Sequence, residues 1–296
     1  MRVDVAIGVV FVVVVAIGVV VASGRGTAEF GRGTAEFGRG AAESFTNAPT
    51  FPRVMYTYWH DPDAVPDTVR ECMASWARHN PGFRVVLLHP GNAAKYAPDL
   101  ERLMKHPRFS DMLQRTSDLV RVCVLARHGG YWVDASVFMR APLDAWIVRG
   151  APTDVEFAGF TLKNVLENWF FACIPNSPFV RAWRDEFLSL QYFESADAYV
   201  DAVRADGVDL AELYSPRYLA QHAAALRVLK RYDSARMFVF NAEDAALKSV
   251  VDVGWHVENS LRRECDSRRR SPLVKFVGPQ RHELERDPDL RRCVLA

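Results

Sequence analysis

The sequence has no excess charge of either sign. Its 37 Lys and Arg stand against 36 Asp and Glu, a formal net charge of +1. Bulk electrostatics give no footing for a polyanion, so nucleic acid is not an expected partner. Cysteine is sparse: Cys72, Cys123, Cys173, Cys265 and Cys293 are scattered, odd in number and without a C-x-x-C pair. That pattern speaks against a disulfide framework and against a zinc ribbon. Cys123 and Cys173 lie in apolar runs and read as buried thiols. The chain also lacks a G-x-S-x-G elbow, a G-x-x-x-x-G-K-[ST] loop and an H-E-x-x-H helix. Those absences remove the common hydrolase, P-loop and zinc-protease chemistries.

The 296 residues suit one large domain or two small ones, and 49% hydrophobic with 25% charged residues is ordinary for a globular enzyme. Val5 to Ala22 is one unbroken apolar run, long enough to span a bilayer as a helix. A cleaved signal peptide is the competing reading, with Val21-Ala22-Ser23 as a small-residue cleavage site, but the run is long for one. Residues 1–23 therefore read as a single-pass membrane anchor. Its orientation is open: Arg2 precedes it and Arg25, Arg32 and Arg39 follow it, which by the positive-inside rule places the bulk of the chain in the cytoplasm. A type II anchor would instead put it in a secretory lumen. The segment Gly24 to Phe30 recurs as Gly31 to Phe37 and decays from Gly38, so residues 24–48 read as a flexible Gly-rich tether.

Residues 49–296 form the folded domain. Phe51 to Trp59 reads as a strand, Pro66 to Asn80 as a helix with Val69, Met73 and Trp76 on one face, and Phe83 to Leu88 as a second strand. This β-α-β order favours a parallel sheet. Asp99 to His106 is a short helix. Ser117 caps a helix that runs to His128 and stops at Gly129-Gly130, since glycines permit the left-handed turn that ends a helix. Tyr131 to Val133 then form a strand with Asp134 at its C-terminal end, the edge where α/β sheets bind ligands. The bland alternative for Asp134 is a carboxylate capping a turn.

Asp118 and Arg121 share a helix face in apolar surroundings: an ion pair at an exposed helix end, or a polar edge facing a ligand. Val155 to Phe160 and Glu167 to Cys173 read as further strands. Ser177-Pro178 opens a long helix, Pro216 to Arg231 forms another, and Met237–Phe240 and Leu273–Val277 are late strands. The cluster Arg262, Arg263, Arg268, Arg269 and Arg270 reads as a solvated loop. Tyr58, Trp59, Asp118, Arg121, Asp134, Glu167 and Asn168 thus converge on one sheet edge. An aromatic plate can stack a base, an Asp–Arg pair can bond sugar hydroxyls, and a carboxylate-held cation can neutralise a leaving diphosphate. Together they describe a nucleotide-sugar site.

The chain resembles the DXD-motif glycosyltransferases: the family 32 enzymes, the capsular polysaccharide synthesis proteins and, more distantly, the clostridial glucosylating toxins. Four stretches in order carry the resemblance. Phe51 to Trp59 matches an I-P-K-I-I-H-x-x-W strand, Ser117 to Arg121 matches S-D-x-x-R, His128 to Ser136 matches x-G-G-x-Y/W-x-D-x-D, and Glu167 to Pro178 is similar to a capsular-type E-N-W-F-x-x-x-P-x-S-P. It covers about residues 50 to 190, with an echo at Lys275 to Gln280.

The resemblance implies a GT-A fold, a Rossmann-like α/β domain with a mostly parallel central sheet. It implies transfer of a hexose, with retention, from a UDP- or GDP-linked donor to a glycan, glycolipid or polysaccharide acceptor. By the same carry-over, Tyr58, Trp59, Asp118, Arg121 and Asn168 bind the donor, Asp134 and Glu167 are the candidate catalytic carboxylates, and Asp134 with Ser136 holds Mn2+ or Mg2+. Ser136 stands where the family commonly has a second Asp and is a weaker ligand for a hard cation; capsular-type relatives often carry Ser or Thr here. The rival expectation is a non-catalytic sugar- or nucleotide-binding module on a membrane stalk.

Overall fold

A computed structural model describes residues 51–147, 154–266 and 270–296. The anchor at 5–22, the tether at 24–48 and the arginines at 268 and 269 lie outside the described residues. Among the described residues, no helix is long and apolar enough to cross a membrane.

Among the described residues are eight strands: β1 (Val54–Tyr58), β2 (Arg84–Leu88), β3 (Gly130–Val133), β4 (Val137–Met139), β5 (Phe157–Leu162), β6 (Val165–Cys173), β7 (Met237–Asn241) and β8 (Leu273–Lys275). Six form a central sheet in the order β2-β1-β3-β6-β5-β7. β1 is parallel to β2 and β3, and β5 to β7, while β6 is antiparallel to both its neighbours. All but β6 thus point one way, and the β-α-β reading of the first strands holds. The longer helices are α1 (Asp67–His79), α2 (Leu113–His128), α3 (Pro178–Leu188), α4 (Ala196–Ala205), α5 (Ala220–Leu229), α6 (Val257–Asp266), α7 (Gly278–Arg286) and α8 (Pro288–Val294).

Alternation along the strands splits the core between two sheet faces, as the period of two requires. Tyr56, Trp132, Phe157 and Phe171 pack with α2, α3 and α5 on one face. Met55, Tyr131, Phe160 and Phe170 pack with Trp146 and Phe240 on the other. α2 is buried around most of its circumference, so its polar residues sit inside the protein. Gly129 and Gly130, at φ +61° and +91°, end it. A Cβ on Gly129 would lie 2.5 Å from the Pro175 nitrogen, so this turn admits glycine alone.

Several boundaries differ from the sequence expectations. α2 begins at Leu113, and Ser117 lies inside it, because no breaker stands between Leu113 and Ser117 and the Asp111–Arg115 ion pair braces the first turn. The expected 99–106 helix is a single turn, Leu100–Leu103, because Pro107 holds His106 extended at ψ 132°. The strand expected from Val155 is shifted to Phe157–Leu162, and the helix expected from Pro216 begins only at Ala220. Ser177 caps α3 as read, accepting from the Val180 amide. Arg262 and Arg263 lie on α6, paired with Glu258 and Asp252, and not in a loop.

The C-terminal segment folds back as a small cap whose apolar centre joins Leu261, Phe276, Leu284 and Val294 to Cys72 and Phe138. β8 pairs antiparallel with β4, setting Lys275 opposite Val137. The expectation is against a disulfide framework, and a single bond stands beside it: α6 and α8 pack side by side and bring Cys265 and Cys293 together, Cα atoms 5.4 Å apart. A separation of 28 residues leaves no short-range spacing to read. Cys72, Cys123 and Cys173 are buried free thiols.

Candidate functional site

Asp134 follows the last residue of β3, and its amide is held by the Trp169 carbonyl of β6 at 2.8 Å. β1 and β3 are parallel with Tyr56 opposite Trp132, so Tyr58 at the end of β1 and Asp134 just past β3 share the C-terminal edge of the sheet. Asp134 Oδ1 accepts from Arg121 Nη2 and from Trp132 Nε1, each at 2.9 Å. Its Oδ2 accepts from Lys275 Nζ at 2.7 Å, and the same ammonium donates to Ser136 Oγ at 2.9 Å.

Behind Asp134 the chain of charges runs inward. Arg121 Nη1 donates to Asp118 Oδ1 at 2.5 Å and to Gln221 Oε1 at 2.7 Å. Asn168 Nδ2 bridges the same two acceptors, at 3.1 Å and 2.7 Å. Gln221 Nε2 reaches the Asp118 carbonyl at 2.6 Å, and Gln114 Nε2 donates to Asp118 Oδ2. The Asp118 and Arg121 side chains are only 2% and 3% exposed, so the exposed-end reading of that ion pair is wrong. Asp134 is 23% exposed and is the open end of the network. Arg121 Nε is buried without a partner.

The electrostatics follow this layout. Burial pushes the Asp118 carboxyl above the usual range, with Arg121 opposing. Burial also acts to raise Asp134, but Lys275 and Arg121 outweigh it and hold the carboxyl at about 2. Burial lowers the Lys275 ammonium, Asp134 opposes that, and the nearby Arg281 guanidinium adds to the lowering.

The sequence-named residues fall in four places. Asp118, Arg121, Asp134, Ser136 and Asn168 meet in one network. Trp59 lies beside it, half-buried against Ala135, Val65 and Val69. Tyr58 sits in the main core, its hydroxyl pushed up to about 12 by burial. Glu167 stands apart from the network, with its carboxylate 3.9 Å from His222 Nε2.

Sequence reading missed Gln221, Arg281 and Tyr218, and met Lys275 only as an echo. Gln221 is fully buried on α5, in an alanine-rich stretch with no motif around it. Tyr218 is 41% exposed, close enough for Asp118 and Asp134 to act on its hydroxyl.

These donors do not suit the divalent cation that the sequence suggests. The ammonium of Lys275 lies between Asp134 Oδ2 and Ser136 Oγ, the two atoms that would hold that cation. Among the described residues no group of three His, Cys, Asp or Glu can hold a metal ion.

Comparison with known proteins agrees with the resemblance read from the motifs. The chain is 28% identical over 155 residues to the O-glycosyltransferase PaGT of Phomopsis amygdali, covering 46% of this chain and 38% of that protein. It is 25% identical over 155 residues to the O-glycosyltransferase braB of Annulohypoxylon truncatum, covering 46% and 37%. The chain thus spans well under half the length of these curated relatives. Among solved structures it is similar to the PaToxG glycosyltransferase at 14% identity, covering 64% of this chain and 83% of that one, with a TM-score of 0.39. The model of the capsular polysaccharide synthesis protein family matches residues 36–216, more than half of the sequence and the whole stretch from Trp59 to Asn168. The chain belongs to the capsular polysaccharide synthesis protein family.

Proposed function

We propose that this protein is a GT-A-type glycosyltransferase that moves a hexose from a UDP- or GDP-linked donor to a hydroxyl of a glycan or lipid-linked acceptor. The observation that carries the reading is the buried Asp118–Arg121–Asp134 chain, which surfaces at the C-terminal edge of a mostly parallel sheet. Nothing in a purely structural role requires two carboxylates and an arginine to be desolvated together, and the cost of doing so is substantial. A ligand edge built for sugar hydroxyls explains it.

In this reading Asp134, oriented by Arg121 and Trp132, accepts from a sugar hydroxyl at the open end of the network. Trp59 offers its face to the base, and Glu167 with His222 lines the acceptor side. Transfer breaks the bond between the anomeric carbon and the diphosphate oxygen, and the electron pair leaves on that oxygen. The acceptor oxygen bonds the anomeric carbon, and its proton passes to solvent. Retention follows the family resemblance and is read from the product's anomeric proton coupling.

Residues 5–22 would anchor the enzyme to a membrane. The Cys265–Cys293 bond favours placement of the catalytic domain in an oxidising compartment, on the far side from the cytoplasm. The test of function is nucleotide release by the full chain from a panel of UDP- and GDP-hexoses. Release from one donor supports the reading, and binding without turnover in the presence of acceptors would favour the non-catalytic module that Ser136 keeps in play.

A further inference from the structure

We propose that Lys275 and Arg281 bind the diphosphate of the donor and supply the positive charge that a divalent cation supplies in metal-dependent enzymes, so that this enzyme works without metal. The proposal rests on the glycosyltransferase reading and deepens it.

Three observations carry it. The first is position. β8 pairs with β4 in a register that sets Lys275 opposite Val137, three residues past Asp134. Its ammonium bridges Asp134 Oδ2 and Ser136 Oγ at 2.7 Å and 2.9 Å, the two atoms a motif-bound cation would use. The second is charge. Asp118 and Asp134 are matched by Arg121 and Lys275, and Arg281 comes in addition. Arg281 stands on the first turn of α7, which follows β8, and its charge lowers the Lys275 ammonium. Its Nε is buried without a partner, and among the described residues no carboxylate pairs with it. The third is valence. Lys275 has three N–H bonds and spends two of them on Asp134 and Ser136, which leaves one donor for a phosphate oxygen.

The leaving diphosphate gains one negative charge when its oxygen takes the electron pair of the anomeric bond. A fixed ammonium and guanidinium beside it stabilise that charge with no ion to recruit. Ser136 suits this arrangement, because a hydroxyl holds the ammonium in place without neutralising it.

The experiment measures binding of UDP, GDP, uridine and guanosine to the full chain by calorimetry, once with Mn2+ and once with EDTA. Melting temperature is followed with and without Mn2+. The expected result is that one diphosphate binds equally in both buffers and that Mn2+ leaves the melting temperature unchanged. Lys275→Met should weaken that diphosphate at least about tenfold and leave its nucleoside unaffected, as loss of a charge-assisted hydrogen bond predicts. Arg281→Gln should weaken it less, and Lys275→Arg should restore part of the affinity. Binding that requires Mn2+, or a wild-type melting temperature that rises with Mn2+ and falls back with EDTA, overturns the proposal while leaving the nucleotide-sugar reading intact. A Lys275→Met variant that is folded and binds the diphosphate as wild type does overturns it too. Failure of every nucleotide to bind the folded wild-type chain removes the underlying reading itself.

Discussion

Replacing Arg121 by Met is the sharpest test of the buried network. Arg121 is 3% exposed and pairs with both Asp118, at 2.5 Å, and Asp134, at 2.9 Å. Methionine fills similar volume but leaves Asp118 with only amide donors, from Gln114 and Asn168, in a site 2% open to water. Removing one partner of a buried pair costs about 3–5 kcal/mol, a large share of the about 5–15 kcal/mol that holds a typical domain together. The cost must also depend on pH. Asp118 already sits above its ordinary value, so the stability it lends is complete below the unfolded value of about 3.9 and is lost as pH rises through the native one. Without Arg121 the native value climbs further, so the variant loses more between about pH 5 and about pH 8 than wild type does. Urea unfolding of residues 51–296 at both pH values measures this, and adding Asp118→Asn should return part of the loss. A penalty below about 1 kcal/mol, or one equal at both pH values, would refute the assignment of Asp118 as a buried anion held by Arg121.

Three further outcomes are expected. Gly129→Ala should lower stability by about 2 kcal/mol or more, since it adds a Cβ at φ +61° against the Pro175 backbone; a melting temperature within about 1 °C of wild type would contradict this. Trp59→Ala should weaken nucleotide binding about tenfold, with Trp59→Phe keeping most of the affinity, and a change in melting temperature alone would reassign the ring to packing against Val65 and Val69. Asp134→Asn should abolish turnover and flatten the loss of stability that wild type shows as pH falls from about 4 to about 2. The Asp134 contribution is present above the unfolded value of about 3.9 and is lost only as pH falls through about 2, so a variant that loses stability as steeply as wild type over that range would show that Asp134 is not held ionised.

The parts of the molecule legible in the sequence are those fixed by local chemistry. The Gly129-Gly130 stop needed no tertiary information, because the positive φ that both residues adopt is a glycine property. Ser177-Pro178 announced its helix through cap chemistry, and the apolar strands β1, β3 and β6 through composition. What could not be read was which distant residues meet. Gln221 lies 103 residues from the Asp118 carbonyl it bonds, and Lys275 lies 141 from Asp134. No spacing rule links such pairs; a buried glutamine on an alanine-rich helix and a lysine in a three-residue strand gain meaning only from the packing of α5 and the pairing of β8 with β4. The Ser117 cap failed for a related reason: a serine within a helix and a serine at its start look alike until the preceding turn is known.

The division of charge along the chain follows from the same geometry. The stretch matched by the family, residues 36–216, contributes both carboxylates and one cation, Arg121. The two remaining cations, Lys275 and Arg281, come from the C-terminal cap that β4 and β8 tie to the motif. A second carboxylate at position 136 would sit within reach of the Lys275 ammonium, now 2.9 Å from the Ser136 hydroxyl, and would add a negative charge at the proposed diphosphate site. The lysine would then serve as a counter-ion to the protein and be lost to the substrate. With serine there, Asp134 alone balances Lys275, Arg281 is left over, and the edge is set for an anion. In the proposed arrangement Ser136 therefore holds the Lys275 ammonium, 2.9 Å from its hydroxyl, without adding a second negative charge.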